Sequence, residues 1–199
     1  MSAEPLSRLM VAIASKNSLL LWLNAAQNCF MIGMAGIFLL EQEASWDALE
    51  GAEVIFTHAN KPIAREHATY VLPVHHVGDA MKTPELRLTL LRDFREYLLR
   101  HTLSDVLQHV SEYCRVTGQS ALLLDEAWFN FSRVVRNALT HDGIVHFDPK
   151  KAAPPISFDR WTLLPEHEGR PIAEIKNLNS TATIPVLEAA SKFVETKLA

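Results

Sequence analysis

Cysteine is scarce: Cys29 and Cys114 are the only two in 199 residues, and neither stands in a CxxC or has a histidine at ligand spacing. A disulfide scaffold and a zinc knuckle are both excluded on that count, and two isolated thiols suit a reducing, intracellular compartment. Excess basic charge is also lacking. Lys plus Arg number 19 against 23 Asp plus Glu, a formal net charge of −4, so no global field draws the chain to nucleic acid or acidic lipid and any polyanion site has to be local. No glycine-rich phosphate loop, GxSxG elbow or cysteine-nucleophile setting occurs. Proline is absent between Pro5 and Pro62 and again between Pro84 and Pro149, and long helices fit those two stretches. Five of the ten prolines gather from Pro149 to Pro171.

Apolar residues are plentiful: 48% of the chain is hydrophobic and 21% charged, enough to bury a sizeable core. Residues 1–199 read as a single domain, with a helical core over about 5–143 and a hairpin and final helix over about 156–199. The 24 residues between Lys16 and Glu41 carry no charge, long enough to span a bilayer. Asn24, Gln27 and Asn28 nevertheless sit at i, i+3 and i+4, which predicts a buried helix with a polar seam rather than a membrane span. Ala25, Ala26, Cys29, Gly33 and Gly36 fall on roughly the opposite side, a small-residue face for a neighbouring helix. The N-terminal MSAEPLSRLM lacks the basic region of a secretory signal. The expectation is a cytoplasmic protein without membrane attachment; a membrane-associated helical protein is the third reading.

Pro5 after Ser2 and Glu4 opens a helical region running to about Glu41 with a break near Ser15 to Ser18, and Ser45 caps a shorter helix. Residues 61–79, with Pro62, Pro73, Gly78 and the β-like run TYVLPVHHV, read as a connection. Thr83, Pro84 and Glu85 combine a cap, a first-turn proline and an acid at the positive dipole end, so they start a helix that ends before Gly118. A second helix begins near Ser120. Its core stripe is Leu124, Trp128, Phe131, Val135, Ala138 and Leu139, and Gly143 stops it. Downstream, two strands flank a turn at Glu168 and Gly169, within a hairpin from Ile156 to Ile175, and SKFVETKL forms a last helix. The fold class is mainly α: an antiparallel helical bundle with a small C-terminal β-hairpin and a terminal helix.

Opposite the core stripe of the Ser120 helix stand Arg133, Arg136 and Asn137, with Asn130 and His141 beside them if helical geometry persists to His141. Asn137 and His141 are four apart and nearly stacked, and Arg136 can reach a common ligand. A solvated face with an incidental histidine near a helix C-terminus is the other reading of these residues.

The string RNALTH, Arg136 to His141, resembles the HEPN superfamily motif: arginine, a polar residue, several intervening positions, then histidine. Its place fits too, at the end of an amphipathic helix, after a long helix and before HDG. The stretch NCFMIGMAGIFLLEQ looks like the first long helix of HEPN domains, so the resemblance covers roughly Ser18 to Asp142. It implies an all-α HEPN-like bundle that forms a homodimer in which two motif helices meet in one composite cleft. It further implies a metal-independent endoribonuclease, in a toxin or defence role, in which a ribose 2′-hydroxyl attacks the adjacent phosphodiester. His141 would be the acid/base, Arg136 would stabilise charge on the phosphate, and Asn137 would orient imidazole or substrate. Arg133 and Asn130 are the substrate-binding candidates. No metal or other cofactor is expected; RNA is the implied substrate, with an antitoxin or other protein as a further partner. HEPN toxins paired with small nucleotidyltransferase antitoxins carry a tyrosine where this chain has Gly143, so modification at that position is not carried over. Many HEPN domains act instead as silent dimeric modules binding RNA, nucleotide or protein, and that is the alternative function.

Other histidines are weaker candidates. His75 and His76 are adjacent and in a strand would point to opposite faces; His58 and His67 have no partner at helical spacing. His101 and His109, with Asp105 and Glu112, form a nonspecific metal face. Asp125 and Glu126 suit a helix start, and Trp128 and Phe131 are core by spacing. Lys150, Lys151 and Arg160 read as surface residues.

Overall fold

Helix dominates the described residues of the proline-free stretches. The structure, a computed structural model, describes residues 15–49, 53–57, 69–73, 75–148, 153–175 and 182–199. Helix α1 runs Lys16–Leu40 and begins where the Ser15 Oγ accepts the Ser18 amide at 3.2 Å, so the expected break is a capped start. The start proposed at Pro5 lies outside the described residues. One stripe of α1 is buried, Leu19, Leu23, Phe30 and Ile37. Asn24 and Asn28 are exposed and Gln27 half-buried, so the polar seam is corrected. At 100° per residue the two asparagines lie across the helix from the buried stripe. No close helix approach marks the small-residue face: Ala25 and Cys29 are exposed, and a Cβ on Gly36 would meet nothing within 4 Å.

Two compact units form, one from Gly33–Arg95 and the other from the described residues on either side of it. The first holds the end of α1, α2 (Ala44–Leu49), an antiparallel pair β1 (Glu53–Thr57) and β2 (Thr69–Pro73), α3 (His75–Lys82) and the start of α4 (Pro84–Val116). Strand register runs from Glu53 opposite Pro73 to Thr57 opposite Thr69. The β-like run was thus half right: TYVLP is a strand, while His75 and His76 open a helix instead of continuing it. Ser45, expected as the cap, instead lies inside the first turn of α2, which already begins at Ala44. Trp46 fixes the turn after α1 by donating its indole N–H to the Leu40 carbonyl at 2.8 Å, with the Arg87 guanidinium 4.8 Å above its ring.

Helix α4 starts and stops as its sequence dictates. Glu85 sits in its first turn. At the far end Gly118 takes φ +70°, and the amides of Gly118 and Gln119 return to Arg115 and Cys114 at 3.3 and 2.7 Å, a Schellman stop that a residue without Cβ permits. Leu103, Val106, Leu107, Val110 and Cys114 are its buried face in the second unit.

After Gly118 the expected single helix is two, α5 (Ser120–Leu124) and α6 (Ala127–Thr140). The Asn130 side chain donates to the Leu124 carbonyl at 2.9 Å, occupying an acceptor that a continuous helix would use itself, and Glu126 is extended at φ −82°, ψ 123°. Leu124 is accordingly 52% exposed rather than core, whereas Trp128, Phe131, Val135 and Ala138 are buried as expected; Leu139 is half-buried. Helix α6 packs on the strand β3, the helix α7 (Thr183–Lys197), the short 3₁₀ turn Ile172–Glu174 and α5. The hairpin is shorter than expected, β3 (Ile156–Phe158) paired with β4 (Trp161–Leu163) around Asp159 at φ +51°. Residues 165–175 form two 3₁₀ turns, not a second strand, because proline at 165 and 171 removes ladder donors. Phe131 lies 5.8 Å from the Phe158 ring and 6.1 Å from the Trp161 ring, welding hairpin to helix. The fold is mainly helical, with small antiparallel sheets.

Candidate functional site

Burial of Trp128, Phe131, Val135 and Ala138 against the hairpin and α7 turns the opposite side of α6 outward. Arg133, Arg136 and Asn137 stand there, each half-buried, followed by exposed His141. Helical geometry stops one residue short of the sequence expectation: Thr140 is the last helical residue and His141 is the C-cap, at φ −106°, ψ −97°. Its amide still donates to the Asn137 carbonyl at 3.2 Å, so the histidine begins at the same helix end as Asn137. Gly143, at φ +77°, closes the end by donating to the Ala138 carbonyl at 2.9 Å.

The two arginines differ in their surroundings. Arg133 lies 5.8 Å from the Phe129 ring centroid, and partial burial pulls its guanidinium below the ordinary value; Asp148 opposes that shift and the neighbouring charge of Arg136 adds to it. The guanidinium stays charged all the same. Arg136 has a buried Nε with no hydrogen-bond partner. A buried donor left unmade costs about 1–3 kcal/mol. Asn130 does not join them: its amide nitrogen holds the α5–α6 break, and its Oδ1 is buried without a partner.

Beyond His141 the chain folds onto the segment around Gly169. Val145 and Arg170 pair as N–H to carbonyl at 2.9 Å, as do Gly169 and Val145, and the Ile172 amide donates to the Gly143 carbonyl at 2.8 Å. Val145 is fully buried by this pairing. His146, exposed, is flanked by two acids: Nδ1 lies 3.0 Å from Glu168 Oε1 and Nε2 lies 3.5 Å from Asp142 Oδ2. Glu168 also accepts the Phe147 amide at 2.8 Å, and Asp142 the Ile144 amide at 2.9 Å. These bonds hold the Glu168 and Asp142 carboxyls below their usual range, each led by the backbone amide, and the Glu168 bond leads in raising His146. Sequence reasoning passed over this cluster. Asp142 and His146 at i and i+4 were the readable half, but nothing in the sequence brings Glu168 back to them.

No family model, curated protein or solved structure matches this chain. The site therefore rests on its own geometry: two guanidiniums, one with an unsatisfied N–H, an amide and an imidazole at one helix end. Such a set neutralises and grips an anion and can move a proton. Among the described residues no cluster of three or more His, Cys, Asp or Glu has metal-binding geometry. His109 leans on Trp22 with ring centroids 4.2 Å apart and His101 on Tyr97 at 4.0 Å; burial lowers the His109 pKa, with Asp105 opposing. Arg160 lies 4.9 Å over Trp161. His58, His67, Lys150 and Lys151 lie outside the described residues.

Proposed function

We propose that the chain is a HEPN-like, metal-independent endoribonuclease. The observation that carries it is the buried, unpartnered Nε of Arg136, on the face shared with Arg133 and Asn137 and one turn before exposed His141. In this reaction the ribose 2′-oxygen attacks phosphorus as its proton passes to a base, and the bond to the 5′-oxygen breaks as that oxygen takes up a proton. The products are a 2′,3′-cyclic phosphate and a 5′-hydroxyl. His141 is the proton carrier, Arg136 the donor to the phosphate oxygens, Arg133 a second cation along the backbone, and Asn137 the orienting amide. The bundle of the resemblance and a homodimer with a composite cleft belong to the same reading. Pairing needs apolar surface to bury, and α1 presents Leu21, Ile32, Phe38 and Leu39 to solvent. The alternative is a silent HEPN-like module, and the observation favouring it is the acidity of the loop, where Asp142, Asp148 and Glu168 stand close to the motif and oppose a polyanion.

The test is cleavage of mixed RNA in chelator by wild type, Arg136→Ala and His141→Ala, with product ends mapped. Cleavage by wild type alone, leaving cyclic phosphate ends, is expected. Equal activity in all three exposes a contaminant, and no activity in any leaves the binding module.

A further inference from the structure

The loop that follows His141 is held by a side-chain clamp whose chemistry depends on one proton. An ionised carboxylate only accepts hydrogen bonds, and a neutral imidazole has one N–H and one bare nitrogen. His146 faces a carboxylate at each ring nitrogen, Glu168 at 3.0 Å and Asp142 at 3.5 Å. Only the imidazolium can donate to both. Each acid is itself fixed to the loop backbone, Glu168 by the Phe147 amide and Asp142 by the Ile144 amide, so the ring and the two acids form one closed network across the 141–148 and 165–172 segments. Asp142 is bonded directly to His141. We propose that His146 is a positioning residue for the α6 site: as the imidazolium it ties Asp142 to Glu168 and holds the peptide that presents His141, and on losing its proton it releases the Asp142 side. This deepens the ribonuclease reading and rests on it for its consequence in catalysis, though not for the clamp itself.

Several charged groups lie on the two segments that meet here: His141, Asp142 and Asp148 on one, Glu166, His167, Glu168 and Arg170 on the other. Asp142 and Glu168 are the two acids within ion-pair distance of the ring. His167 is engaged elsewhere, its Nδ1 accepting the Leu164 amide at 3.0 Å. The raised His146 value and the lowered Asp142 and Glu168 values agree in sign with mutual stabilisation. With both acids ionised, the clamp is closed below His146's ordinary value of 6.5 and opens as pH rises through the raised one.

The experiment is an NMR titration of the histidine ring protons in wild type, Glu168→Gln and His146→Arg, with hydrogen exchange of the Ile144 and Phe147 amides across pH 5 to 9. In wild type His146 is expected to titrate above 6.5, and protection of the Ile144 amide, corrected for intrinsic exchange, should fall through that same midpoint while the Phe147 amide, held by Glu168, stays protected. Glu168→Gln should bring the midpoint back toward 6.5. His146→Arg keeps a permanent cation with several donors, so its amides should stay protected at alkaline pH. RNA cleavage should then lose its His146-linked alkaline limb in His146→Arg. A His146 midpoint at or below 6.5, or Ile144 amide protection indifferent to it, overturns the clamp. None of these structural readouts needs RNA: an inactive protein with a titrating clamp sinks the ribonuclease reading alone, and an active one without it sinks this inference alone.

Discussion

Arg136 and Cys114 are both shaped by burial, with opposite consequences. Arg136 is half-buried with an unpartnered Nε, and its planar fork is what an ammonium lacks. Arg136→Lys, which keeps the charge, is therefore expected to lower single-turnover RNA cleavage by roughly 10²-fold; near-wild-type rates would mean that charge alone suffices. Cys114 is wholly buried, and desolvation pushes its thiol up to about 11, so it is almost entirely protonated at neutral pH. Cys29 is exposed. A thiol-specific chromogenic reagent at pH 7.5 should titrate one equivalent in the native protein and two after denaturation, the first mapping to Cys29. The residue scale is also where the sequence was most readable for the site. Helical spacing alone put Arg133, Arg136, Asn137 and His141 on one side of a helix end, because 3.6-residue periodicity is a local property. It could not show the bond from the Asn130 amide to the Leu124 carbonyl, which exists only once the helix is broken.

At the scale of elements, α6 is the member on which the second unit is assembled, and its aromatic contacts with the hairpin hold the motif face outward. Phe131 is 1% exposed and touches both Phe158 and Trp161. Phe131→Ala should lower unfolding free energy by about 3–5 kcal/mol, measured by urea denaturation, whereas Leu124→Ala should cost no more than about 0.5 kcal/mol because that side chain is exposed. Equal costs would contradict the break between α5 and α6. The loop clamp has its own signature at this scale. A raised His146 contributes stability present below 6.5 and lost as pH rises through its higher folded value. The lowered Asp142 and Glu168 contribute above their ordinary values of 3.8 and 4.5 and lose it as pH falls. All three therefore act together between about pH 5 and 6.5, the window in which loop protection should peak.

For the molecule as a whole, the unresolved tension sits on α1. It is long and apolar enough by length and composition to cross a membrane, yet its stripe of Leu19, Leu23, Phe30 and Ile37 is buried against protein. Leu21 and Ile32 are 72% and 71% exposed, on the side away from that stripe. Exposed apolar surface of this extent marks an interaction site, and the homodimer proposed above gives it an occupant. Ile32→Glu together with Leu21→Glu should convert a pair to a monomer in sedimentation analysis with far-UV circular dichroism unchanged. A pair that survives both charges would place the interface elsewhere, and wild-type partitioning into detergent would favour the membrane.

What the sequence determined by itself is everything that depends on near neighbours. The proline-free stretches, the Thr83 to Glu85 start, the Gly118 stop, the α6 core stripe and the motif at its end all follow from spacing and backbone preference over a few residues. Tertiary structure decided what depends on residues far apart. It chose the exposed side of α1, paired Glu53–Thr57 with Thr69–Pro73, and cut the hairpin to 156–163. It also carried Glu168 across 22 positions to His146. Burial and pairing are contests among surfaces that meet only in the folded chain, and periodicity along the sequence cannot say which partner wins.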